Sequence, residues 1–150
     1  MMITGIGHVA FRVTNLQRAL DFYCNKLGFS EAFRLEQEGQ PSPWIVYIQI
    51  APGAFIELFP DAQSAPGTIP GRDPQASYKH VCLLVDDMSA TLSELAARGL
   101  EIVKAPTIGL DHNLQYWIDD PDGNPIELMQ IVSASPQAAA DASMQTRRRR

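Results

Sequence analysis

A chain of 150 residues, 45% apolar and 19% charged, is long enough for one compact domain or two tightly joined half-domains, and too broken in its apolar runs for a membrane span of about eighteen residues or more. Its formal charge of −5 understates the acidity of the body, because four of the twelve basic residues are Arg147 to Arg150 at the end; such a surface repels nucleic acid and suits a divalent cation or a small ligand. The start lacks a basic stretch followed by an apolar one, so a cytoplasmic location is expected, and two cysteines without Cys-x-x-Cys spacing give neither a disulfide framework nor a thiolate zinc site.

From Ile3 to Val13 apolar and polar residues alternate, with His8, Ala10 and Arg12 on one face and Val9, Phe11 and Val13 on the other, as in a half-buried strand. Thr14 or Asn15 can cap a helix whose Leu16, Ala19, Leu20, Tyr23 and Leu27 recur at three and four, and Gly28 can stop it. Residues 29–36, 44–50 and 54–59 read as three more strands, separated by Gly39-Gln40-Pro41 and Pro52-Gly53. The first unit, residues 1–59, is therefore βαβββ. Proline and glycine without periodicity mark 60–77 as a linker.

The pattern then restarts over 78–132. A strand runs from Tyr78 to Val85, and a helix capped by Asp86 or Asp87 carries Met88, Leu92, Leu95 and Ala96 on one face and stops at Gly99. Further strands are expected at 101–104, 112–119 and 125–132, the last two joined by the turn Asp120-Pro121-Asp122-Gly123-Asn124. From Ser133 the tail has no core-building pattern and is expected to be disordered; its terminal arginines read as solvated.

The two halves echo one another. His8 opens His-Val-Ala-Phe-Arg-Val and His80 opens His-Val-Cys-Leu-Leu-Val, while Glu57 and Glu127 both stand in an Ile-Glu-Leu frame at nearly the same interval behind them. With His8 aligned on His80, Val9 meets Val81, Val13 meets Val85, Leu16 meets Met88 and Leu20 meets Leu92, which is the signature of a duplicated module. Alternation sends both glutamates away from the helix-packed side, so two imidazoles and two carboxylates converge if the sheets curl and pair, and unpaired charge there would be costly. A divalent metal resolves that cost: two nitrogen and two oxygen ligands suit nickel, cobalt, zinc, manganese or iron(II) and leave positions open. For any one of these residues alone an ordinary strand role would be the better reading.

Paired βαβββ units, the strand histidines and the closing Asp120-Pro121-Asp122-Gly123-Asn124-Pro125-Ile126-Glu127-Leu128 resemble the vicinal oxygen chelate superfamily over residues 3–132. The resemblance implies an α+β fold in which two βαβββ modules build a curved, partly closed mixed sheet with the helices outside. The order His8, Glu57, His80, Glu127 is similar to glyoxalase I (lactoylglutathione lyase), and implies those four as metal ligands, Glu127 as base and Glu57 as the group that returns the proton, through a metal-bound enediolate. It also implies a homodimer and a substrate made from methylglyoxal and glutathione, with Arg12 on the glutathione carboxylate. The chain departs from that pattern at Asp61, where the family has asparagine, at Ala76, where it has a basic residue, and over 107–113, which lacks a lysine.

Two other functions use the same scaffold. A ring-cleaving dioxygenase needs two histidines and one carboxylate on iron, which leaves Glu57 without a role, and a metal-free binding module resembling the bleomycin-resistance proteins leaves all four without one. Cys82 shares strand parity with His80 but has no activating neighbour in sequence. His112 reads as a solvated strand start, and Trp44, Tyr47, Tyr116 and Trp117 as core or pocket wall.

Overall fold

The computed structural model describes residues 5–60 and 79–148, which divide into two compact units: Met1–Lys79 with Asp119–Asn124, and His80–Ile118 with Pro125–Arg150. The fold is α+β, with one four-stranded mixed sheet in each unit. Most of the expected linker, with Asp61, Ala76 and Tyr78, lies outside the described residues.

In the first unit β1 (His8–Arg12) leads into α1 (Leu16–Leu20), which continues as a π-helical segment, Asp21–Lys26. Asn15 is the cap: its side-chain oxygen accepts from the Arg18 amide at 3.0 Å. Gly28 ends the helix with φ 77°, a left-handed conformation that side chains resist. Then β2 (Ser30–Leu35), β3 (Ile45–Ala51) and β4 (Ala54–Phe59) complete a sheet of order β1-β4-β3-β2, with β1 parallel to β4 and the other pairs antiparallel. The helix, β2 and β3 together make the long connection that a parallel pairing of β1 with β4 requires.

Strand alternation divides this sheet cleanly. Phe11, Ile56, Leu58, Val46 and Ile48 point to one side and are buried with Ala19, Leu20, Phe22 and Tyr23 of the helix. The other side carries His8, Ala10 and Arg12 of β1, Phe55 and Glu57 of β4, Tyr47 of β3 and Phe33 of β2.

The second unit repeats the plan. β5 (Val81–Leu84), α2 (Met88–Ala97), β6 (Thr107–Ile108), β7 (Leu114–Asp119) and β8 (Pro125–Gln130) give the order β5-β8-β7-β6, again with the first and last strands parallel. Asp87 caps α2 by accepting from the Ala90 amide at 2.8 Å, and Gly99 ends it with φ 86°. Met88, Leu92 and Leu95 are its buried face, as their spacing predicts.

Three expectations need correction. No strand forms over 101–104: the Val103 amide donates to the Tyr116 hydroxyl at 3.2 Å instead of to a ladder, and the third strand shrinks to the two residues of β6, just past Pro106. His112 is not a strand start but sits in a turn with φ 64°, its amide donating to the Gly109 carbonyl. The tail, expected to be disordered, holds α3 (Pro136–Arg148), started by Ser135, whose hydroxyl accepts from the Ala138 amide at 3.1 Å. Alanine supplies the helix propensity that an absent apolar face concealed.

The turn between β7 and β8 belongs to the first unit. Asp120 folds it by accepting from the amides of Asp122 and Asn124, and takes the Tyr23 hydroxyl at 2.9 Å on its other oxygen. Asp122 accepts from both the amide and the hydroxyl of Thr14, so Thr14 serves this carboxylate while Asn15 serves the helix.

Candidate metal centre

His8 and Glu57 meet on the polar side of the first sheet. Parallel pairing puts Ala10 opposite Glu57, so a histidine two residues earlier is the diagonal neighbour on the same face, and His8 Nε2 stands 3.4 Å from Glu57 Oε2. The second unit builds the same diagonal: Cys82 is opposite Glu127, and His80 Nε2 lies 3.1 Å from Glu127 Oε2. Each histidine is substantially exposed, and each glutamate is buried at 5–6% exposure. The duplication read from sequence thus extends to the geometry of each pair.

A buried carboxylate needs partners. Glu57 has His8 beside it and is paired across β3 with Tyr47, and the interaction of the Tyr47 hydroxyl with this carboxylate holds its pKa above the usual phenol value. Glu127 is less well served: its Oε1 is buried without a hydrogen-bond partner. Cys82, loss of solvent and the adjacent Glu127 charge combining, has its thiol pushed up to about 12. That is the reverse of what a nucleophilic cysteine requires, so Cys82 is an inert half-buried thiol.

Rings line both pairs. Tyr47 lies edge-on to His8 at 6.3 Å and stacks on Phe33 at 4.3 Å, while Trp117 lies edge-on to His80 at 4.8 Å. Of the four aromatic residues singled out in the sequence, Tyr47 and Trp117 stand beside the pairs, Trp44 packs edge-on to Phe59, and Tyr116 is core. Arg12 lies on the same strand face as His8, opposite Phe59. His112 is exposed in the 109–113 turn. The pairing of Tyr47 with Glu57 had no signal in the sequence, because it depends on the register of β3 against β4.

Among the described residues, no three His, Cys, Asp or Glu side chains of one chain gather as a metal-holding group; the two His–Glu pairs are two-residue sets. Their donor chemistry still fits a divalent cation: each pair presents one imidazole nitrogen and one buried carboxylate, and the partnerless Oε1 of Glu127 is an acceptor of the kind a cation satisfies.

With this geometry in hand, comparison with known proteins places the chain. The model of the glyoxalase/bleomycin resistance protein/dioxygenase superfamily matches residues 5–128, and the chain belongs to that superfamily. It is 30% identical to the uncharacterized protein YaeR of Escherichia coli K12 over 83% of this chain and 95% of that protein. It is 26% identical to a catechol-2,3-dioxygenase of Bacillus subtilis, spanning 83% of this chain but only 41% of the dioxygenase, and 29% identical to a probable lactoylglutathione lyase of Synechocystis over 84% and 95% of the two chains. The superfamily is largely enzymatic and includes lyases and dioxygenases.

Proposed function

We propose that this protein is a divalent-metal-dependent lyase or isomerase of the glyoxalase I type, in which His8, Glu57, His80 and Glu127 hold one cation: nickel, cobalt or zinc, with manganese or iron as further candidates. The observation that carries the reading is the twofold use of one diagonal, a histidine two residues ahead of the position facing a buried glutamate, with an acceptor atom of Glu127 left over. The cation takes one pair from each module, in a homodimer that draws the modules from one chain or from two copies.

A cation bound there supplies Lewis acidity, polarising a substrate carbonyl and acidifying the neighbouring C–H. The protein's own groups do the rest. Glu127 accepts the proton from carbon and Glu57 delivers that proton to the adjacent carbon, while the substrate's hydroxyl proton passes to its other oxygen, so the product is an isomer of the substrate and no oxidant is consumed. The hemithioacetal of methylglyoxal and glutathione, giving S-lactoylglutathione, is the first substrate to test, with Arg12 as the residue for a glutathione carboxylate.

Elemental analysis of purified protein, then assay of that hemithioacetal with nickel, cobalt and zinc in turn, tests the reading. About one metal per site and metal-dependent turnover are expected. Metal without turnover moves the proposal to another substrate with two adjacent oxygens, and no metal after reconstitution leaves a binding module like the bleomycin-resistance proteins. The similarity to a catechol-2,3-dioxygenase supports a second reading, ring cleavage on iron, tested by oxygen uptake with catechol. Glu57 counts against it: a fourth protein ligand occupies a position that oxygen needs.

A further inference from the structure

The two His–Glu pairs share a backbone plan but not their immediate neighbours. Opposite Glu57 on one side is Ala10, which has no donor, and opposite Glu127 at the equivalent place is Cys82. On its other side Glu57 is paired with Tyr47 across the β3–β4 ladder, close enough for its charge to hold the proton on that phenol. Phenol is a stronger donor than thiol, so the first pair is the better braced of the two.

The ring of Tyr47 is itself held on three sides. Phe33 stacks against it at 4.3 Å with the planes 21° apart, Phe55 meets it edge-on at 6.1 Å, and His8 at 6.3 Å. Such packing fixes both torsions of a tyrosine and hence the place of its hydroxyl. Phe33 is 46% exposed on β2, a strand exposed along its whole length, so its contribution to the core is small. What it does contribute is a platform for Tyr47.

From this we infer that Tyr47 is a positioning residue for the metal centre: it orients the Glu57 carboxylate toward the cation, and Phe33 holds Tyr47 in place to do so. Outer groups that hydrogen-bond a metal ligand typically change metal affinity 10–100-fold when removed. The inference rests on the four-ligand reading above. The competing account is that Phe33, Tyr47 and Phe55 form an ordinary cross-strand aromatic set that stabilises the sheet and nothing else.

Calorimetric titration of nickel chloride into metal-free wild type, Tyr47→Phe and Phe33→Leu separates the two, read beside the thermal midpoint of each metal-free protein. Tyr47→Phe keeps the ring and loses only the hydroxyl; it is expected to bind nickel about 10–100-fold more weakly at a nearly unchanged midpoint. Phe33→Leu should weaken nickel by a smaller factor. Unchanged nickel affinity in Tyr47→Phe, with or without a lowered midpoint, overturns the inference while leaving the metal site standing. Wild type that binds no nickel, cobalt or zinc removes the site and the inference together.

Discussion

Glu127 and Glu57 look equivalent in sequence, yet their surroundings differ in one respect that matters to proton transfer: one carboxylate is doubly engaged and the other has an idle oxygen. On the proposed mechanism Glu127→Gln keeps the shape and removes the base, so turnover of the metal-loaded protein should fall by about two orders of magnitude or more while metal-free folding, followed by circular dichroism, persists. Cys82 supplies a second prediction. Its thiol pKa of about 12 against an ordinary value of 9.0 means the folded protein keeps the proton through a range in which the unfolded chain loses it. The stability this contributes is present in full below pH 9 and is lost as pH rises from 9 toward 12. At pH 8 iodoacetamide should leave Cys82 unmodified in the folded protein and alkylate it in urea, as mass spectrometry would record. At this scale the histidines and glutamates were legible because they occur twice in one pattern. Tyr47 and Trp117 were legible only as aromatic residues, since what they touch is set by how strands pair.

Helices announced themselves through their ends. Asn15 and Asp87 accept from the amide three residues on, and Gly28 and Gly99 take the positive φ that closes each helix, all four at places named by local sequence chemistry. Asn15→Ala and Asp87→Ala should each cost about 1 kcal/mol, measured by urea denaturation. Strands were read less well where tertiary contacts outbid local preference. Residues 101–104 have the composition of a strand, but the hydrogen bond from Val103 goes to a side chain of β7, and Val103 ends 70% exposed. The last helix is hidden in the sequence for the opposite reason. Nearly every described residue of α3 faces solvent, so no apolar periodicity marked it. The same exposure predicts that truncation after Ser135 lowers the thermal midpoint by only a few degrees, by differential scanning calorimetry, the loss centred on the 3.2 Å contact between Asn113 and Gln137.

Taken whole, the molecule is a duplication whose two copies have kept their skeleton and diverged in the residues around it. Strand order, parallel closing pair, caps, glycine stops and the His–Glu diagonal recur; Tyr47, Cys82 and the stretch before β6 do not. The repeat, and with it the fold class, could be read from sequence because it rests on hydrophobic spacing. Boundaries between the units could not, because the division of the chain departs from a simple cut at the linker.

That departure has a practical result. Although β7 and β8 are counted with the second unit, the turn joining them is counted with the first, where Thr14 and Tyr23 grip its two aspartates. A gene split at the linker would therefore yield fragments that each lack something: one keeps donors with no carboxylates to receive them, and the other keeps a hairpin whose tip has lost its mooring. Co-expressed halves should recover each other, whereas either alone should be prone to aggregate.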